Sequence, residues 1–482
     1  MAKTTAVGDT PVPLFLPCAA GTEALLADEV RHILGTGAQV EAARGGVHVT
    51  GSALVAMQLN LESRLAQRVL WPLAHGPYHN EHDLYDLACT VPWCDWITPA
   101  QTFRIDTTAQ RSPLQSLNFA TLRVKDAVCD VVRHHLGERP SIDTRHPDLP
   151  LTLFLSPTDA TLYADTSGEA LFKRGWRDAQ GGTVGVKGDA PLKETLAAAM
   201  LAAAGWQGRA EDGPLFDACC GAGTIAIEAA QIAAGIAPGL QRRFAFEAML
   251  PFRPHQNSWS RLKDAARARQ HAPAVAIFAG DVSFRMTDFA QRNAERAGVA
   301  KFIEFKTADA LQRLPPAEHG LLVINPPYGE RIAPLGSQGG ERIAPPGSRG
   351  GERIAPLGSR GGERIAPPGS RGGERIAPPG SRGERHAPRD VHHQARPTRE
   401  AFEGGSSPAQ FFSQLASHWK LHYAGWTAWV LSPDMKLPQA LRLKENRRVP
   451  LWNGPIECRL FRFDLVAGSA RPKPPADTGA AT

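Results

Sequence analysis

The residues best suited to chemistry in this 482-residue chain are Asn325, Pro326 and Tyr328, within Ile324-Asn325-Pro326-Pro327-Tyr328 at the predicted end of a strand. Two consecutive prolines stiffen the backbone, so the Asn325 side-chain oxygen and the Pro326 carbonyl can converge on one amino group. An amino group on an aromatic ring is a poor nucleophile because its lone pair is delocalised into the ring. Two acceptors holding its hydrogens favour a pyramidal nitrogen whose lone pair points at a methyl donor, and Tyr328 offers a stacking face to an extruded base.

A site for the donor is legible upstream. Phe216-Asp217-Ala218-Cys219-Cys220-Gly221-Ala222-Gly223-Thr224 stands between a predicted strand and a predicted helix. Glycines there let the backbone turn tightly and approach a ligand, and the helix start offers unpaired amides. A Gly-x-Gly turn also occurs where it serves packing alone. Asp281 follows the next predicted strand, where a carboxylate can accept hydrogen bonds from both ribose hydroxyls. Asp309 follows the strand after that and is placed to bind an adenine amino group. A single Asp at a strand end commonly caps a helix. Three strand ends in register carry the ligand reading further.

The elements that must position these residues fall into two patterns. The N-terminal third alternates short strands and helices in an α+β manner: strands 13–17, 46–51, 68–73, 102–106, 151–155 and 160–165, and helices 22–34, 54–65 and 118–136. The last helix is amphipathic and carries Arg123, Lys125 and Arg133. From Gly188 the pattern becomes β-α-β-α-β: a helix from Pro191, strand 215–218, helix 224–234, strand 274–279, helix 288–297, and strands 302–306 and 320–324. This order predicts a doubly wound parallel sheet. Helix 408–421, strand 426–431 and a hairpin turning at Asn453-Gly454 complete it.

Between these pieces, Gly329 to about Arg385 is an eleven-residue repeat of the type GERIAPPGSRG, continuing directly from NPPYGER. Each unit holds Gly, Pro and a single Ile, so neither a helix nor a packed solenoid is expected and the segment is predicted to be disordered. An arginine-rich tether for RNA phosphates is the functional alternative. Between Gly329 and Glu400 there are 13 arginines and 8 acidic residues, so five of the chain's six net positive charges sit there. Overall basicity therefore says little about RNA binding, and local motifs must carry that inference. The seven cysteines form no C-x-x-C pair, which predicts reduced thiols and no metal site. No apolar run approaches the roughly 20 residues of a bilayer span, and no signal-like N-terminus is present. A cytoplasmic protein without a membrane partner is expected.

With those motifs in place, the chain resembles the class I Rossmann-like amino-methyltransferases. More narrowly, it is similar to the ribosomal RNA large-subunit methyltransferase L family, which joins such a domain to an RNA-binding THUMP domain. The similarity covers nearly all but the repeat. It includes LFLPCAAGTEALLADEV, ESRLAQRVLWPL, LRVKDAVCDVVRHHLGERPSIDTRHPDLPLTLFL and GDAPLKETLAAAM, then DACCGAGTIAIEAAQIAAGIAPGL, NAERAGV, NPPYGER and LRLKENRRVPLWNGPIECRLFRFDL. It implies S-adenosylmethionine as cofactor, held by Asp217, Cys219, Gly221, Gly223, Asp281 and Asp309, with Asn325, Pro326 and Tyr328 on the target base. The family usually has Pro where this chain has Ala218, and often an acid where it has Ser283.

The implied organisation is an α/β chain. A ferredoxin-like region (1–75) and a THUMP-like RNA-binding domain (76–165) precede a linker (166–190). A Rossmann-like methyltransferase domain (191–328 and 401–466) follows, interrupted by the disordered repeat insertion (329–400) and ended by a disordered tail (467–482). The implied activity is N2-methylation of guanine in 23S ribosomal RNA, free or in a pre-ribosomal particle. Alternatives are N6-adenine methylation of RNA or DNA, guanine-N2 methylation of tRNA, and a non-catalytic RNA-binding role. A dehydrogenase fits less well, since the turn lacks the third glycine of G-x-G-x-x-G and Asp281 lies far beyond the usual spacing of about twenty residues. A helical insertion at 238–269, shared with the resembling family, accounts for that gap. The chain ends 28 residues past Gly454 without a second N-P-P-Y, so one activity is expected.

Overall fold

The structure, a computed structural model, describes residues 8–177, 192–327 and 408–466. Its N-terminal half contains β1 (Val12–Pro17), α1 (Glu23–Leu34), β2 (Val40–Ala43), β3 (Gly46–Gly51), α2 (Ala53–Glu62), β4 (Leu70–Pro77) and α3 (Glu81–Cys89). It continues through β5 (Thr102–Ala109), α4 (Leu117–Leu136), β6 (Ser141–Ile142), β7 (Leu149–Leu155) and β8 (Asp159–Asp165). All eight strands join one sheet in the order β2-β3-β1-β4-β8-β7-β5-β6. Strand β4 is the hinge of that order, meeting β1 at Phe15 opposite Leu70 and pairing with β8 from Leu70 to Pro77. The boundary expected at 75/76 falls inside this strand, so the two N-terminal regions share a sheet.

Helix α4 forms as its pattern predicts. Ala120, Val124, Ala127, Val128 and Val132 make a buried stripe, Ser116 caps the first turn, and Gly137 ends it at φ 82°. Helix α3 and strands β2 and β6 are not legible from periodicity. The short Glu81–Cys89 segment opens on polar residues, and its start is set by a capping box between Asn80 and Asp83.

The C-terminal half runs through α5 (Glu194–Ala204), β9 (Leu215–Asp217), α6 (Thr224–Ala233), α7 (Gln256–Ala268), β10 (Ile277–Asp281), α8 (Phe284–Arg296) and β11 (Ile303–Thr307). Then come β12 (Gly320–Ile324), α9 (Pro408–His422), β13 (Trp426–Ser432), α10 (Leu437–Leu441), β14 (Arg447–Asn453) and β15 (Ile456–Asp464). The sheet order is β11-β10-β9-β12-β13-β15-β14. The first five strands are parallel, and β15 and β14 form the antiparallel hairpin. This is the Rossmann-like doubly wound sheet. Strand order reverses between β9 and β12, and a crevice for a ligand opens beyond the carboxyl ends of strands at such a point. Helix α8 begins at Phe284, four residues before its expected start; Phe284 is 74% exposed and adds nothing to an apolar stripe, so the pattern does not reveal the first turn.

The two halves are fastened together. The described part of the expected linker, residues 166–177, is packed: Thr166, Ser167, Leu171, Arg174 and Trp176 are buried. Arg174 Nε donates to Glu228 Oε1 at 3.0 Å, and Arg64 Nη1 reaches Glu228 Oε2 at 3.1 Å, so one fully buried carboxylate on α6 joins both halves. The insertion at 238–269 adds an aromatic cluster. Phe244, Phe246, Phe252 and Trp259 pack on one another, and Phe252 lies 5.8 Å from Trp71 of β4. Among the described residues no helix is long and apolar enough to cross a membrane.

Candidate functional site

Strand register places the expected residues on one edge. Asp217, the last residue of β9, pairs with Ala279 of β10, while Phe216 faces Leu322 of β12. Asp281 ends β10 opposite Thr307 of β11. Asp309 therefore follows two residues past β11, and Asn325 follows directly on β12. The parallel pairing that aligns these strands brings all four to the carboxyl end of the sheet, with Asp217 and Asn325 on the two strands that flank the reversal in strand order.

The turn between β9 and α6 is shaped by its glycines. Gly221 sits at φ 50° and Gly223 at φ 81°, in the left-handed region that side chains disfavour. At Gly223 an added Cβ would also stand 3.0 Å from Ala290 Cβ of α8, so packing demands glycine as well. At Gly221 the surrounding space is open, with only Met286 Cε at 4.0 Å. The turn is tied down by Cys220 N donating to Gly280 O at 2.8 Å and Gly223 N to Cys220 O at 2.7 Å.

The three carboxylates differ in their surroundings. Asp281 Oδ2 accepts from Gly221 N at 3.0 Å and Oδ1 from Ser283 N at 3.0 Å, so it links the turn to β10. Its two oxygens offer about four acceptor sites in all. Asp309 Oδ1 accepts from Leu311 N at 2.9 Å and organises its own turn. Asp217 is 1% exposed; Oδ1 accepts from Cys219 N at 3.3 Å, whereas Oδ2 has no hydrogen-bond partner among the described residues. Burial, and behind it the Asp281 charge, hold the Asp217 carboxyl well above the usual carboxylate range. Burial together with Asp217, Asp281 and Asp309 likewise pushes the Cys219 thiol well up. A thiol raised in this way stays protonated and is poorly nucleophilic.

Ile324 and Pro326 are buried, and Asn325 and Pro327 half-buried. Tyr328, the repeat at 329–400 and the tail from 467 lie outside the described residues. Several residues at the site carry no motif. Arg177 Nη2 donates to Thr224 Oγ1 at 2.8 Å at the start of α6, and Arg313 lies buried beneath the strand ends. Val282 and Phe284, 52% and 74% exposed, present apolar surface beside Asp281. Their only signal in the sequence is an apolar residue directly after a strand-end acid. Among the described residues no group of His, Cys, Asp or Glu could hold a metal ion.

A Rossmann-like sheet with a Gly-rich turn and strand-end acids, joined to an eight-stranded α+β half, has the architecture of a methyltransferase-type chain. Residues 174–338 match the RMKL-like methyltransferase domain, 78–165 the THUMP domain and 13–70 the RlmL ferredoxin-like domain. The three matched domains follow one another along the chain in the order ferredoxin-like, THUMP, methyltransferase. It is 32% identical over 98% of its length to the ribosomal RNA large subunit methyltransferase K/L of Syntrophotalea carbinolica, and 31% identical over 95% to that of Shewanella baltica. The chain spans only 57% and 54% of those two relatives. Among solved structures, the methyltransferase SMU.472, crystallised with SAH, is 21% identical with a TM-score of 0.71, over 96% of this chain and 100% of that one. At that identity the likeness concerns the fold.

Proposed function

We propose that this chain transfers a methyl group from S-adenosylmethionine to the exocyclic amino nitrogen of an RNA base, guanine N2 of 23S ribosomal RNA, in the cytoplasm. The observation that carries the cofactor assignment is Asp217 Oδ2, a buried carboxylate oxygen without a donor among the described residues. A buried unpaired acceptor costs about 1–3 kcal/mol. A cationic donor such as the ammonium of an amino-acid moiety offsets that cost and favours the ionised carboxylate. The open side of Gly221 leaves room for the backbone to approach a ligand there.

In this reading Asp281 accepts from ribose hydroxyls, Asp309 lies by the adenine amino group, and Cys219, Gly221 and Gly223 line the cofactor. Val282 and Phe284 give the purine apolar surface. The bound cofactor supplies a methyl group on a sulfonium centre. Asn325 Oδ1 and the Pro326 carbonyl accept the two hydrogens of the target amine, keep its lone pair out of the ring and orient it, while Tyr328 stacks on the base. The match of 78–165 to the THUMP domain and the names of the relatives support structured ribosomal RNA as the partner.

The test is methyl transfer by the purified chain to RNA from a strain lacking it, read by nucleoside mass spectrometry. N2-methylguanosine in 23S RNA is expected. N6-methyladenosine would remove the guanine assignment, and RNA binding without cofactor binding would leave a non-catalytic RNA-binding protein.

A further inference from the structure

Arg313 is not part of any motif, yet it touches the supports of all three strand-end acids. It is 7% exposed. Its guanidinium carbon lies 4.5 Å from the ring centre of Phe216, the residue before Asp217. Nη1 donates to Ala279 O at 3.2 Å, two residues before Asp281, and Nη2 approaches Glu304 Oε1 of β11 at 3.9 Å. Its own backbone N–H donates to Asp309 O at 2.9 Å. Its carbonyl accepts from Tyr423 Oη at 2.7 Å, just past α9, and lies 2.8 Å from His418 Nε2 on that helix. The segment that bears Asp309 is thereby clamped from two sides.

Gly280 makes this arrangement specific. A Cβ there would stand 2.7 Å from Arg313 Nη1 and 3.3 Å from Lys306 O. The glycine before Asp281 is thus the gap through which the guanidinium passes beneath β10. A planar fork with five donors, able to stack on a ring and donate sideways, serves three strands at once, whereas a lysine ammonium serves as a single point.

We propose that Arg313 is a positioning residue that holds the ends of β9, β10 and β11 in the register presenting Asp217, Asp281 and Asp309 to the cofactor. This rests on the cofactor reading given above. It makes Gly280 and Arg313 one unit: a methyl at Gly280 displaces the guanidinium and reproduces the loss of the arginine.

The experiment is calorimetric binding of S-adenosylhomocysteine to the full chain and to Arg313→Ala, Gly280→Ala, Arg313→Lys and the Gly280→Ala/Arg313→Ala double variant. Filter binding of RNA runs in parallel. Each alanine variant should weaken cofactor affinity by about tenfold or more, the scale of one charged hydrogen-bonding group. Lysine should give an intermediate loss, RNA affinity should hold, and the double variant should bind no worse than Arg313→Ala. Such non-additivity is what coupled neighbours show. Should Arg313→Ala not fold, Gly280→Ala and Arg313→Lys carry the test, since each changes little volume. Wild-type binding with unchanged affinity in the single variants overturns the proposal, and so do strictly additive losses. If the wild-type chain itself binds no S-adenosylhomocysteine, the cofactor reading falls and the proposal with it.

Discussion

Replacing Asp217 by asparagine should move stability and cofactor affinity in opposite directions at neutral pH. In the folded chain Asp217 is buried beside Asp281, so its carboxyl titrates well above the range near 4 where it titrates unfolded. A group whose folded pKa is raised keeps its proton when the unfolded chain has lost it. Between those two ranges the native state therefore holds one more proton than the unfolded state, and stability falls as pH rises, by about 1.4 kcal/mol per pH unit. Above the folded value the loss is complete and levels off. The amide of the Asp217→Asn variant cannot ionise, so urea unfolding of that variant without cofactor should lack this component of the slope, gaining on wild type as pH is raised from about 4 toward 8. Cofactor affinity should fall by about 1.5–3 kcal/mol, roughly ten- to a hundredfold, with loss of a charge-assisted hydrogen bond. Saturating S-adenosylhomocysteine should reduce the slope in wild type, because a bound ammonium favours the ionised carboxylate. Parallel pH profiles for variant and wild type, or undiminished cofactor affinity in the variant, would refute this account of the orphaned oxygen.

Asn325→Ala should lower the methylation rate about a hundredfold or more, or about 2.7–4 kcal/mol by analogy with single-donor deletions in oxyanion holes, with cofactor affinity little changed by calorimetry. Tyr328→Ala should lose stacking worth roughly 1–3 kcal/mol while Tyr328→Phe stays mild; equal damage from both in single-turnover kinetics would show that the hydroxyl matters. Deleting residues 340–382 should leave thermal stability and RNA methylation intact, since closure entropy rises slowly with loop length; retained stability with lost methylation would assign substrate binding to the repeat. Glu228→Ala should cost about 3–5 kcal/mol in urea unfolding by stranding two guanidinium groups. By comparison Glu62→Ala, which removes a pair with the largely exposed Arg269, should cost about 1 kcal/mol.

The parts of this protein that its sequence determined by itself are those written in local pattern. Alternation and Gly-x-Gly chemistry place β9, the turn and α6 within a residue or so of where they stand, and the same holds for β12 before Asn325. Helix α3 shows helical spacing only over Leu84, Leu87 and Ala88, too short a run to stand out, and its start is set by a capping box; the edge strand β2, Val40–Ala43, is four residues at the rim of the sheet. What only the tertiary structure decided concerns partners far apart in the chain. Strand β4 serves both N-terminal regions because β8, some ninety residues on, supplies its second edge, and no local period encodes that pairing. Glu228 is the one charged residue of helix α6, and its meaning appears only when Arg64 and Arg174 arrive from two other segments to neutralise it. Asp217 looks like the other strand-end acids until burial strips one oxygen of partners. Gly280 and Arg313 carry no shared signal in the sequence, and become a unit only because parallel pairing of β10 and β11 brings the guanidinium under the glycine. Desolvation and packing act on residues according to what surrounds them in space, and that neighbourhood comes into being only when the strands have paired.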